Sequence, residues 1–172
     1  AGRVGLTLAA AAEAQVGVTT KYDASYEVLI YPGGDVPIDR GACTDVVVRA
    51  FRQAGVDLQV KVHEDMLEAF DEYPKLWRLK EPNTNIDHRR VPNLQVYFER
   101  AGMSLPITRD PRDYVPGDIV AWDTGGKTHI GVVSRQRSED GERFQIVHNH
   151  GAGARIEDKL FAWKIIGHYR AE

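Results

Sequence analysis

The sequence predicts an α+β fold in which N-terminal helices pack on a C-terminal antiparallel sheet. Two observations lead to this prediction. Apolar residues of the front half recur at three- and four-residue spacing, as they do along one face of a helix. The back half instead carries short apolar runs between Gly- and Asp-bearing turns, which is typical of strands. Because the helices come first and the strands follow as a group, an α+β architecture is favoured.

Four helices and one extended segment are predicted before the sheet. The helices cover residues 3–16, 43–54, 63–71 and 92–101, and the extended segment is YEVLIY at 26–31. Gly55 ends the second helix, Pro92 lies at the start of the fourth, and Gly102 follows its end, in line with the preferences of helix termini. Val47 and Phe51 lie one turn apart on the second helix, so that face is expected to pack inward.

Four strands are predicted in the back half. They are GDIVAW (117–122), HIGVVSR (129–135), RFQIVHNH (143–150) and AWKIIGHYR (162–170). Residues 73–93, rich in Pro, Asn and charge, are predicted to form a long loop insertion within one domain that spans 1–172. Arg89 and Arg90 in this loop suit the carboxylates of a bound ligand, and a solvated loop without a ligand is the alternative.

The composition argues against several classes of protein. A net charge of −3 supplies no general attraction to nucleic acid, which is not expected as a partner. No run approaches the roughly 18 apolar residues of a spanning helix, so no membrane span is expected. A single cysteine excludes a disulfide scaffold and a cysteine-rich zinc site. The helical spacing of residues 1–15 predicts a mature chain from which any export signal has been removed.

Cys43, the single cysteine, is predicted to lie at the start of the second helix. Gly41 before it permits a tight turn after a polar pair, so the approach to the helix is expected near the surface. A thiol at a helix N-terminus lies at the positive end of the helix dipole, which is expected to lower its pKa and favour the thiolate. The alternative is a small buried side chain with no chemical role.

Three of the six histidines fall in two neighbouring predicted strands: His129 opens one, and His148 and His150 close the next. If these strands form a hairpin around a turn at 138–141, His129 lies opposite His150, and a slip of two residues puts it opposite His148 instead. Either register places all three on one face, because side chains alternate along a strand. The cluster offers a base for Cys43 or, alternatively, three imidazoles for a metal ion.

Several segments occur in an order that is characteristic of a known family. They are YPGG (31–34), GACTDVV (41–47), PGDIVAW (116–122), HIGVV (129–133) and IVHN (146–149). This series resembles the NlpC/p60 superfamily of papain-like cell-wall cysteine hydrolases. GACTDVVVRAFRQAGVDLQ, NIDHRRVPNL and GHYR further resemble a YijF-like branch, known mainly as a domain of unknown function. The resemblance implies a papain-like fold and covers the chain from residue 31 to its end.

The resemblance also implies a catalytic role for three residues. Cys43 would be the nucleophile, His129 its general base, and His148 the residue that orients the imidazole. The spacing between the two histidines looks longer than in the family, so Asn149 and His150 stay open as alternatives for the third position.

Tyr31, with the backbone N–H of the nucleophilic cysteine, would stabilise the oxyanion or bind substrate. Besides the spacing of the histidines, two features of the sequence depart from the family pattern. YPGG is one residue shorter than the corresponding family segment, which affects the role of Tyr31. Ala42 and Thr44 replace the usual Asp and Ser beside the cysteine, which leaves the substrate contacts open.

The function implied by the resemblance is hydrolysis of an amide bond in bacterial peptidoglycan, by a peptidase or amidase that needs no cofactor. Peptidoglycan or a muropeptide would be the substrate. The place of action would be periplasmic or extracellular, either as a housekeeping enzyme or as a secreted toxin paired with an immunity or inhibitor protein. Two alternatives belong to other classes: a non-catalytic wall-binding module, and a metal-binding protein built on the histidine cluster.

Overall fold

Four α-helices precede the main sheet, and the computed structural model describes all residues from 1 to 172. The helices are α1 (Arg3–Glu13), α2 (Cys43–Gln53), α3 (Leu58–Ala69) and α4 (Val91–Arg100). α3 starts at Leu58 rather than at residue 63 because the Asp57 carboxylate accepts a hydrogen bond from the Gln59 N–H at 3.0 Å. None of the helices combines the length and the apolar character needed to cross a membrane.

The segment between α1 and α2 is held mainly by side chains and by one short strand pair. β1 (Lys21–Tyr22) and β2 (Arg40–Gly41) run parallel and pair over two residues each. The predicted extended segment at 26–31 has no strand partner. Its backbone is instead held by side chains: the Leu29 N–H donates to Asn85 Oδ1 at 2.8 Å, and Gln59 Nε2 donates to the Ile30 carbonyl at 3.0 Å.

An antiparallel sheet follows the helices, as predicted, but it has five strands rather than the four expected. Its strands are β3 (Ile119–Asp123), β4 (Thr128–Arg137), β5 (Phe144–Asn149), β6 (Ala154–Glu157) and β7 (Lys164–Tyr169), in the spatial order β6-β5-β4-β3-β7. β6 was not predicted from the sequence because its residues, ARIE, alternate between apolar and polar side chains over only four positions, which is a weak strand signal. Pairing with β5, which brings Ile146 opposite Glu157, makes these residues a strand.

Both faces of β3 are buried. Ile119 and Ala121 of β3 belong to the main core, which includes fully buried Val47 of α2, so α2 packs on this face of the sheet. Val120 and Trp122 alternate with them and belong to a second apolar cluster on the other face. The two-residue period of the strand therefore divides β3 between two apolar layers.

The buried carboxylate of Asp118 links the start of β3 to the end of β7. Asp118, fully buried, accepts hydrogen bonds from His168 Nε2 at 2.6 Å and from Arg170 Nε at 2.7 Å. Burial acts to raise the pKa of Asp118, but the hydrogen bonds from Arg170 and His168 outweigh it and lower the pKa overall. The motifs GDIV and GHYR thus meet in a structural network.

The loop at 73–93 is anchored at its C-terminal end by α2. Arg89 is buried and forms a salt bridge with Asp45, with Nη2 2.9 Å from Oδ2. The Thr44 hydroxyl donates to the carbonyl of Arg89 at 2.9 Å. Arg90 lies over the ring of Trp77 at 4.2 Å. The suggestion that Arg89 receives a substrate carboxylate is therefore wrong, because its guanidinium is already paired inside the protein.

Candidate active site

Cys43 is the first residue of α2 and borders a cavity of about 220 Å³. The helix start is held by Asp45, whose Oδ2 accepts a hydrogen bond from the Ala42 N–H at 2.7 Å. Cys43 is 8% exposed. His129 borders the same cavity, so the structure brings together the two residues predicted to act as nucleophile and base.

The thiol of Cys43 has a pKa raised to about 11. The largest cause is burial, which disfavours the thiolate, and the charge of Asp45 adds to it. Backbone N–H groups of Ile130 and Thr44 act in the opposite direction but do not compensate. The expected lowering of the pKa is wrong for the free protein, because burial outweighs the helix N-terminus, and the thiol is neutral at pH 7.

The three strand histidines form one cluster, as predicted. β4 and β5 pair with Val132 opposite Val147, and extending this register brings His129 opposite His150. The ring centroid of His129 lies 5.0 Å from that of His148 and 4.6 Å from that of His150. The first of the two predicted registers is therefore the one observed near the cavity. Closer to the turn the register shifts, so that Arg137 pairs with Phe144.

A chain of hydrogen bonds runs from His129 away from the cavity. Nε2 of His129 lies 2.8 Å from Nδ1 of His148, and Nε2 of His148 lies 2.7 Å from Oε1 of Glu157. Gly131 permits this approach, since a Cβ there would lie 2.8 Å from Ile146 Cγ2 and 3.1 Å from His148 Cβ. The glycine of HIGVV is thus needed for close packing between the strands that carry the histidines.

Both linked histidines are neutral at pH 7. Burial, followed by the nearby His148 and His150, lowers the pKa of His129 to about 3. Burial also lowers the pKa of His148, although Glu157 acts against it. Trp122, stacked on His129 at 5.6 Å, belongs to the layer that keeps water from this ring.

The two alternatives for the third position occupy different surroundings. Asn149 Nδ2 donates to the backbone carbonyls of Lys21 and Gly41 at 3.2 and 3.0 Å, so this side chain fastens the β1–β2 pair to the end of β5. His150 borders the cavity with its ring exposed to solvent. Of the three candidates, the structure brings only His148 into hydrogen-bond contact with His129.

Tyr31 is not among the residues that border the cavity. Its ring packs edge-on against His63, with centroids 5.2 Å apart. The tyrosine at the cavity is Tyr22 of β1. Burial is the largest cause that raises the pKa of its hydroxyl, and the negative charge that Cys43 acquires as a thiolate at high pH is the next. The structure therefore provides no support for the predicted contact of Tyr31 with the reacting groups.

The histidine cluster lacks the arrangement of a metal centre. No group of three or more His, Cys, Asp or Glu side chains is placed to hold an ion. Nε2 of His129 and Nδ1 of His148 point at each other at hydrogen-bond distance, which commits both atoms to that contact rather than to a shared ligand.

Two groups of this site were missed by the sequence analysis. Tyr22 stands in a two-residue strand with no periodic signal, and Glu157 stands in the unrecognised β6. An acidic residue within reach of the HNH segment in a following strand could have been sought from the sequence. The histidine that this acidic residue contacts could not have been predicted without the register of β5 and β6.

Comparisons with known proteins place the chain in a family. Residues 9–171 match the family model described as "Domain of unknown function (DUF1287)", and the chain belongs to that family. The uncharacterized protein YijF of Escherichia coli (strain K12) is 53% identical over 166 residues, which make up 96% of this chain and 80% of YijF. The predicted likeness to a YijF-like branch is confirmed.

Two solved structures share the fold. NlpC1 and NlpC2 from Trichomonas vaginalis match 99% of this chain with TM-scores of 0.51 and 0.50, at 13% and 14% identity. The chain spans less than half of each, 45% and 47% of their lengths. At this identity the likeness concerns the fold, and it confirms the predicted papain-like, NlpC-type α+β architecture.

Proposed function

We propose that this member of the DUF1287 family is a cysteine hydrolase that cleaves an amide bond of bacterial peptidoglycan. The observation that carries the proposal is that Cys43 and His129 border one cavity while His148 holds the far side of the His129 ring. Because Nε2 of His129 is engaged, Nδ1 is the ring nitrogen left to take the thiol proton.

The reaction would begin from a neutral pair. With the pKa of Cys43 at about 11 and that of His129 at about 3, a thiolate beside an imidazolium is unfavourable in the free site. We infer that the proton moves to His129 as the sulfur attacks the carbonyl carbon. The oxyanion would be stabilised by the Cys43 backbone N–H at the start of α2, where the helix dipole favours negative charge.

The second half of the reaction would regenerate the thiol. Protonated His129 delivers its proton to the leaving amine nitrogen, the C–N bond breaks, and a thioester on Cys43 remains. Water, deprotonated by His129, then attacks the thioester carbonyl and releases the carboxylic acid and the thiol. Every proton in this sequence passes through one imidazole, so the reaction depends on the orientation of that ring.

The polar lining of the cavity supports a peptide substrate. Tyr22, Thr124, Lys127 and Thr128 border it together with the reacting pair. Hydroxyl groups and one cation suit a hydrogen-bonding, carboxylate-bearing peptide better than an apolar ligand. Peptidoglycan stem peptides have this chemistry, and the NlpC-type fold agrees with such a substrate. Action on it would take place in the periplasm or outside the cell.

Digestion of purified sacculi by the wild-type protein and by Cys43→Ala tests the proposal. Mass spectrometry of the released fragments should reveal new termini at one defined amide bond with the wild type and none with the variant. The position of the new termini also distinguishes a peptidase from a sugar–peptide amidase. Asp158→Asn, which alters only an exposed ion pair with Arg143, serves as a folded control with normal activity. Equal products from wild type and Cys43→Ala would refute the proposal.

A non-catalytic wall-binding module is the second candidate, and the burial of a neutral thiol favours it. This candidate predicts that wild type and Cys43→Ala co-sediment equally with sacculi and that neither releases fragments. Comparing sedimentation and fragment release in the same samples separates the two functions.

A further inference from the structure

Glu157 closes the chain of hydrogen bonds that begins at His129. Its Oε1 lies 2.7 Å from Nε2 of His148, and its side chain is 38% exposed whereas that of His148 is 1% exposed. The His148 ring is the hydrogen-bond partner of this carboxylate, and no lysine or arginine forms a salt bridge with it. A carboxylate at the surface thus reaches into the buried histidine cluster from the side opposite to the cavity.

The order of donors and acceptors along this chain is determined by its last member. A carboxylate at neutral pH only accepts hydrogen bonds, so Nε2 of His148 must carry the proton. Nδ1 of the neutral His148 ring is then an acceptor, and Nε2 of His129, 2.8 Å away, must be the donor. His129 therefore has its lone pair on Nδ1, the nitrogen that faces away from His148.

The opposite arrangement is disfavoured by the same contact. If His148 carried its proton on Nδ1, its Nε2 lone pair would face the Glu157 oxygen at 2.7 Å with no hydrogen between them. His129 would then accept at Nε2, carry its proton on Nδ1, and have no lone pair left for the thiol of Cys43.

We propose that Glu157 is a positioning residue that sets the tautomers of His148 and His129 in series and so keeps Nδ1 of His129 free as the base. Its effect on hydrolysis rests on the proposed function, whereas the tautomers do not depend on any activity. Glu157 acts through two imidazoles and touches no reacting atom.

The test is a measurement of histidine ring tautomers by long-range ¹H–¹⁵N NMR at pH 7.5. In the wild type both His129 and His148 should be protonated on Nε2. Glu157→Lys offers only donors to His148, and we expect both rings to change to the Nδ1-protonated form. Asp158→Lys makes the same charge change one residue along and should leave both tautomers unchanged. His168, held by Asp118 in a separate network, is the internal reference.

Hydrolysis of sacculi is measured on the same samples. Glu157→Lys should lose roughly 100-fold or more of the wild-type rate, because a catalytic imidazole in the wrong tautomer has no lone pair for the nucleophile. Glu157→Gln, which keeps an acceptor oxygen, should retain an intermediate rate. Unchanged tautomers in Glu157→Lys, or Nδ1-protonated His148 in the wild type, would overturn the proposal. If Glu157→Lys changes both tautomers but the wild-type protein cleaves nothing, the proposed function alone is overturned.

Discussion

Two carboxylate–imidazole pairs lie on the same sheet and have nearly the same length, yet they differ in what the second ring nitrogen meets. Asp118 and His168 are 2.6 Å apart, and the other nitrogen of His168 faces the carbonyl of Pro106 at 3.4 Å. Glu157 and His148 are 2.7 Å apart, and the other nitrogen of His148 faces the candidate base. The contacts of the first pair end at a backbone carbonyl, whereas the hydrogen bonds of the second pair continue to His129 at the cavity. A carboxylate–imidazole pair can therefore either stabilise the fold or orient another side chain, depending on what the second ring nitrogen contacts.

The largest difference between the pairs should appear in stability. Asp118→Ala leaves buried His168 and partly exposed Arg170 without their acceptor, and we expect a loss of about 3–5 kcal/mol in the free energy of unfolding. Glu157→Ala also deprives buried His148 of an acceptor, but the carboxylate it removes is partly exposed, so the cost should be smaller, about 1 kcal/mol. Urea unfolding followed by circular dichroism measures both, and Asp118→Asn extends the comparison if the alanine variant does not fold. Equal losses would mean that the two pairs do not differ in this way.

The reactivity of Cys43 tests the protonation state of the cavity, to which the Glu157–His148 pair is connected through His129. Because burial raises the pKa of the thiol to about 11, its alkylation by iodoacetamide at pH 7.5 should be roughly 100-fold slower than that of an unperturbed cysteine, whose pKa is about 8.5. The rate should keep rising up to pH 10 without a plateau, as measured by mass spectrometry. A plateau near pH 7 would instead indicate a thiolate–imidazolium pair in the free protein.

Lowering the pH should reduce the stability of the folded protein through the buried ring of His129. Its pKa of about 3 in the folded protein lies below the unfolded value of about 6.5, so the unfolded chain binds the extra proton first as the pH falls. Stability should therefore decrease from pH 6.5 toward pH 3, with this residue contributing about 1.4 kcal/mol per pH unit at most. Urea titrations of His129→Gln should have a shallower slope in this window, and parallel curves for the two proteins would contradict the assignment.

The candidate site could be predicted where a local pattern sets the geometry. The position of Cys43 at a helix start could be predicted because Gly41 and the turn before it are evident in the sequence. The shared face of His129, His148 and His150 could be predicted because side chains alternate along a strand. That pattern does not predict the contact between His129 and His148, because the contact depends on the strand register and on the close approach that Gly131 allows. Tyr22 entered the cavity without any local signal, because a two-residue strand pair carries it there.

The sequence by itself determined the α+β architecture, the helix that presents Cys43 and the pairing of the two histidine strands, because the period of apolar residues and the glycine turns act over short distances. Only the tertiary structure decided the protonation of the site. Burial beneath the sheet outweighs the helix dipole at Cys43, and β6, whose alternation covers only four residues, brings Glu157 to His148. Both effects depend on groups distant in the chain, so no local pattern contains them.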